Sequence, residues 1–98
     1  MEIIKNIDGS KLEFAVEGRL DTTTSPMLEK EIRDGVDGIT ELVFDFDRLE
    51  YISSAGLRVI LTAQKIMNKQ GEMKIKNVCE EIMEIFEITG FSDILSIE

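Results

Sequence analysis

Residues 11–17 read KLEFAVE. Leu12, Phe14 and Val16 point one way, while Lys11, Glu13, Ala15 and Glu17 point the other, which is the period-two pattern of a strand with one buried face. Such a face must be covered by a second layer. The stretch before it, MEIIKNIDG, ends on Asp8-Gly9, a hairpin signal, so the first strand pairs with this one. Gly18 marks the predicted end of the second strand.

Beyond it the period changes. Ser25 followed by Pro26 is a helix start, with serine as N-cap and proline in the first turn. Leu28, Ile32 and Val36 recur at helical spacing, and Gly35 or Gly38 stops the helix. TELVFDFD is then a buried strand. Leu57, Ile60, Leu61 and Met67 mark a second helix that Gly71 ends, and EMKIKNV is a further strand. CEEIMEIFEITG is amphipathic, with Cys79, Ile82, Met83 and Phe86 on one face and Glu80, Glu81, Glu84 and Glu87 largely outside. Gly90 closes it, and DILSIE is a last short strand. The predicted order is β-β-α-β-α-β-α-β. Its alternating second half implies right-handed crossovers, hence an α/β fold with a mixed sheet. With 98 residues, one domain spanning 1–98 is expected.

Charge and composition narrow the function. Twenty acidic residues against eleven basic ones give a net charge of −9. This disfavours nucleic acid and anionic membranes and is compatible with a basic protein partner. No apolar run reaches membrane-helix length, and the N-terminus lacks a signal-peptide layout, so a cytoplasmic location without membrane insertion is expected. The chain has no histidine and one cysteine. That removes Ser-His-Asp and Cys-His catalysis and most zinc sites, so no enzyme activity and no cofactor is expected. Asp45 and Asp47 could suit Mg²⁺, but strand-end acids in so acidic a chain read better as solvated, and no metal is expected. Cys79 reads as a small buried hydrophobe.

The segment EYISSAGLRVIL, residues 50–61, holds the chemistry. It leads from a strand end into a helix, the region where α/β sheets gather functional groups. Ser54 is the expected N-cap, worth roughly 0.5–2 kcal/mol over alanine. Gly56 in the first helical turn costs about 1 kcal/mol relative to alanine, so a close contact must recover that cost. A phosphate added to Ser54 would meet free helix amides and bring roughly −1.5 to −2 charge. In sequence it would stand among Asp45, Asp47, Glu50 and Asp21, with Arg48 and Arg58 as nearby cations. A partner seated on the neutral serine would be expelled. Arg58 itself could face solvent or the partner.

Three segments resemble the STAS-domain family, and within it the bacterial anti-sigma factor antagonists. They are VEGRLDTTTSPMLEKEI, ELVFDFDRLEYISSAGLRVIL and EIFEITGFSDILSI. The first resembles the family's Gly-x-Leu-Asp ahead of a helix. The second resembles its strand followed by an Asp-Ser-Ser/Thr-Gly-Leu turn, and the third its closing helix-Gly-strand. Here Ser53 stands at the family's aspartate and Ala55 at its second serine or threonine.

The resemblance implies a four- to five-strand sheet with helices mainly on one face. It implies an anti-sigma factor that is also a serine kinase as partner, and a phosphatase that reverses the phosphorylation. Ser54 takes the phosphoserine position, with Ser53 as the second candidate. Asp21, Asp45, Ser53, Ser54, Ala55, Gly56, Leu57 and Arg58 form the expected partner surface. Two other readings stand beside this one. The first is a phosphorylation-independent STAS interaction module in a signalling or transport assembly. The second is a small nucleotide- or phosphate-ligand binder that uses the helix end after Ser54.

Overall fold

The computed structural model describes Met1–Glu98. In chain order the elements are β1 (Glu2–Asp8), β2 (Lys11–Leu20), α1 (Ser25–Gly35), β3 (Glu41–Asp45), β4 (Leu49–Ile52), α2 (Ser54–Met67), β5 (Glu72–Lys76) and α3 (Glu80–Thr89), followed by a 3₁₀ turn at Phe91–Asp93. The hairpin forms as expected: β1 and β2 are antiparallel, Asp8 opposite Lys11, with Gly9 at φ 62° in the turn. β3 and β4 both run parallel to β2, and β5 runs parallel to β3, giving the order β1-β2-β3-β5 with β4 beside the end of β2.

The parallel register turns the period-two pattern into apolar rows. Leu12, Leu42 and Met73 form one row, and Phe14, Phe44 and Ile75 the next. All six are buried, and the Phe14 and Phe44 rings stack at 5.9 Å. Leu28 and Ile32 of α1, Leu57, Ile60, Ala63 and Met67 of α2, and Ile82 and Phe86 of α3 join these rows in one core of 23 buried residues. The intervening positions make polar rows on the other face: Glu13, Val43 and Lys74, then Ala15, Asp45 and Lys76. Lys76 reaches Glu13 at 3.3 Å there, and Val43 lies outside the core cluster. The α/β class, the mixed sheet and the helices on one face are therefore as the sequence implies.

Local details differ from expectation. β2 does not end at Gly18. That glycine sits at φ 93° in a register shift, its amide bonds the Arg48 carbonyl at 2.9 Å, and the strand continues to Leu20. The extension pairs with β4, a strand absent from the predicted order because its burial pattern, with Leu49 and Ile52 inside and Glu50 and Tyr51 outside, lacks the period-two alternation of a strand.

The predicted last strand contracts to one parallel pairing, Ile75 with Ile97. Gly90, left-handed at φ 81°, turns the chain into the 3₁₀ turn instead, and too few residues remain for a strand. Cys79 is the N-cap residue of α3 and not part of the helix itself, and it packs half-buried against the core. No helix is long and apolar enough to cross a membrane.

Candidate functional site

The first turn of α2 is built on the end of β2. The Ser53 amide donates to the Leu20 carbonyl at 2.9 Å, which fixes where the helix begins. Ser53, in extended conformation, is the N-cap: its Oγ accepts from the Gly56 amide at 3.3 Å and its carbonyl accepts from Leu57 at 2.9 Å. The sequence expectation that Ser54 caps the helix is corrected by one residue. The strand bond holds Ser53 extended, as an N-cap must be, and Ser54 becomes the first helical residue. Its side chain is exposed and enters no hydrogen bond with the protein. The amides of Ser54 and Ala55 begin the helix without intrahelical acceptors.

Gly56 is buried, and its cost is recovered by close approach. A Cβ there would lie 2.8 Å from Ile52 Cγ1, 2.9 Å from Leu20 Cγ and 2.9 Å from the Leu20 carbonyl oxygen. The expected close contact is made both with the strand's backbone and with the side chains of two strands. Leu57 anchors the same turn in the core, whereas Arg58 is exposed.

The next residue along from Leu20, Asp21, lies beside this turn. Its Oδ1 accepts from the Thr23 hydroxyl at 2.8 Å, the Thr23 amide at 3.0 Å, the Thr24 amide at 3.2 Å and the Thr24 hydroxyl at 3.2 Å. The Thr23 hydroxyl bond leads these contacts in holding the carboxyl below its ordinary titration range, against the opposing effect of desolvation. Asp21 is thus a turn-organising acid with one oxygen left over, and that oxygen stands 3.8 Å from Arg19 Nε. Thr24, not Ser25, is the N-cap residue of α1, and Ser25 is buried with its hydroxyl donating to the Asp21 carbonyl. An Asp followed by threonines two and three residues on is the local pattern of such a turn, and the Ser25-Pro26 helix signal overshadowed it.

Arg19 also lies over the Tyr51 ring, 4.2 Å from its centroid. No sequence pattern pointed to this stack, because the irregular β2–β4 register creates it.

Ser53, Ser54, Ala55, Gly56, Leu57, Arg58 and Asp21 therefore come together at one end of the sheet. Asp45 does not join them. It pairs with Ala15, and its Oδ1 accepts from the Asp47 amide and from Asn77 Nδ2, both at 3.0 Å. From Ala15 to Leu20 along β2 is roughly 16 Å at about 3.3 Å per residue. Between α1 and α2, next to the site, runs a groove of about 450 Å³ whose lining includes Thr22, Lys30, Arg33, Ala55 and Arg58.

This geometry can be compared with known proteins. The family model of the STAS domain matches residues 1–98. The chain belongs to the STAS domain family. It is 39% identical over 93 residues to BtrV of Bordetella bronchiseptica, a protein named as an anti-sigma factor antagonist, across 93% of this chain and 79% of that protein. It is 32% identical over 98 residues to the anti-sigma-B factor antagonist of Listeria monocytogenes, across 97% of this chain and 85% of that one.

Among solved structures, this STAS domain superposes on an anti-sigma factor antagonist from Mycobacterium paratuberculosis with a TM-score of 0.89 at 21% identity, covering 98% of this chain and 83% of the other. The phosphorylated form of the Bacillus cell fate determinant SpoIIAA matches with a TM-score of 0.79 at 15% identity, covering 99% and 91%. At these identities the structural matches establish the fold.

Proposed function

We propose that this STAS domain is an anti-sigma factor antagonist. It binds an anti-sigma factor that is also a serine kinase, and phosphorylation of Ser54 switches it off. The names of its relatives support the class of partner. The observation that carries the switch is the division of labour between the two serines: Ser53 is occupied as the cap, while Ser54 stands exposed with a free hydroxyl.

In the transfer step, a kinase base takes the Ser54 hydroxyl proton. The Oγ bonds to the γ-phosphorus of ATP as the bond to ADP breaks. The product carries a near-dianion on the surface that met the partner, and its desolvation and repulsion end the complex. A phosphatase restores the hydroxyl by hydrolysis. Asp21 and the residues from Ser53 to Arg58 form the contact surface. The protein acts in the cytoplasm through binding and performs no catalysis of its own. Asp45, at the carboxyl end of β3 and opposite Ala15 on the polar face, contributes only if the partner also reaches that face of the sheet.

The test is incubation with the cognate anti-sigma factor kinase and ATP, followed by phosphopeptide mapping. One phosphate on Ser54 is expected. Ser54→Ala should retain the partner, and Ser54→Asp should bind roughly 30-fold or more weakly, a loss of about 2 kcal/mol at the low end for a charge stranded in an interface. Phosphate on neither serine, with binding intact, refutes the switch and leaves a phosphorylation-independent module. No affinity for any anti-sigma factor refutes the whole reading.

A further inference from the structure

Arg58 lies four residues after Ser54 on α2. Positions four apart are neighbours on a helix surface, about 5–6 Å between Cβ atoms. Helical side chains also lean toward the N-terminus, which brings the Arg58 guanidinium within reach of the turn that carries Ser54, and Arg58 lines the groove between α1 and α2 together with Ala55. Both residues are exposed.

The guanidinium of Arg58 takes part in no ion pair or hydrogen bond; only its backbone carbonyl is used, by the Thr62 hydroxyl at 2.9 Å. The other cations lining the same groove are engaged. Lys30 bonds Asp34 at 2.7 Å, and Arg33 bonds Glu29 at 3.3 Å. Asp21, on the preceding turn, adds a negative charge, and Arg19 stands beside it. In a chain of net charge −9, Arg58 is thus an uncommitted cation within reach of Ser54.

We propose that Arg58 is an internal clasp for the phosphate on Ser54. The planar guanidinium donates two hydrogen bonds to phosphate oxygens, a fork that a point-charge ammonium does not reproduce. It holds the group over the open amides of Ser54 and Ala55. Modification then changes two features of the surface together: it adds a dianion and withdraws an arginine from the partner. This inference rests on Ser54 as the modified residue.

The experiment installs phosphoserine at position 54 genetically, so that it does not depend on a kinase, and follows the phosphate by ³¹P NMR titration. A neighbouring cation stabilises the dianion and lowers its second pKa. Arg58→Gln should therefore raise that pKa by about 0.3 unit or more. Arg58→Lys should recover part of the shift, and Arg48→Gln should leave the value in place. In the unsubstituted chain, the Arg58 Nε–H resonance should move on phosphorylation. An unchanged phosphate pKa in Arg58→Gln overturns the clasp, since the helix amides are the same in both proteins. Partner binding by the same phosphoprotein tests the switch separately: undiminished affinity would refute the switch and would leave the pKa comparison intact.

Discussion

Replacing Gly56 with alanine sets two effects of opposite sign against each other. In a free helix the change is favourable by about 1 kcal/mol, because alanine loses less backbone entropy than glycine. Here the new methyl would sit 2.8 Å from Ile52 Cγ1, 2.9 Å from Leu20 Cγ and 2.9 Å from the Leu20 carbonyl oxygen. The side chains could turn only by leaving their places in the core, since Leu20 and Ile52 are both buried. The carbonyl cannot retreat without breaking its bond to the Ser53 amide.

Overpacking of this kind costs about 1–3 kcal/mol, and losing the Ser53–Leu20 bond adds about 1 kcal/mol. After subtracting the helix gain, Gly56→Ala should destabilise the domain by about 1–3 kcal/mol. For a chain of this size that is a fall in Tm of several degrees or more, at about 4–8 °C per kcal/mol. Urea denaturation followed by far-UV circular dichroism measures it, with an unchanged m-value expected. A variant as stable as the parent, or more so, would refute the close approach and with it the account of why glycine follows the two serines.

Two further outcomes follow from the site. Ser53→Ala removes the cap and should cost roughly 0.5–2 kcal/mol, while Ser54→Ala, at an exposed position with no hydrogen bond, should stay within about 0.5 kcal/mol. Equal losses in denaturant melts would contradict the division between cap and free hydroxyl. The Asp21 carboxyl should titrate below the ordinary carboxylate range in a ¹³C NMR titration, because the Thr23 hydroxyl and the neighbouring donors favour its charged form. With the folded pKa below the unfolded one, its contribution to stability is fully present above about pH 4 and is lost as the pH falls through the folded value. An ordinary midpoint would mean that the Asp21–Thr24 turn is not held in solution.

Much of this could be read in the chain itself. KLEFAVE forms β2 with the predicted faces, ELVFD forms the buried strand β3, and the stripes from Leu28 and from Leu57 lie on helices, because period-two and period-3.6 patterns are local consequences of backbone geometry. The absence of histidine restricted the chemistry, and the SSAG turn drew attention to the right helix end. The missed features are non-local or irregular. β4 exists because β2 continues past a bulge to meet it, and the closing strand was curtailed by a left-handed Gly90.

The sequence by itself determined the layers, the composition of the core and a serine-bearing helix start, since each follows from spacing along the chain. The tertiary structure decided which serine does what. The Leu20 carbonyl, brought to Ser53 by strand pairing, sets the helix start one residue earlier than local propensity suggests and turns Ser54 outward. It also separated Asp45 from the site and, by pairing Leu20 with Ile52 and Ser53, set Asp21 next to it. Those placements depend on parallel register between strands distant in sequence, and no local pattern encodes that register.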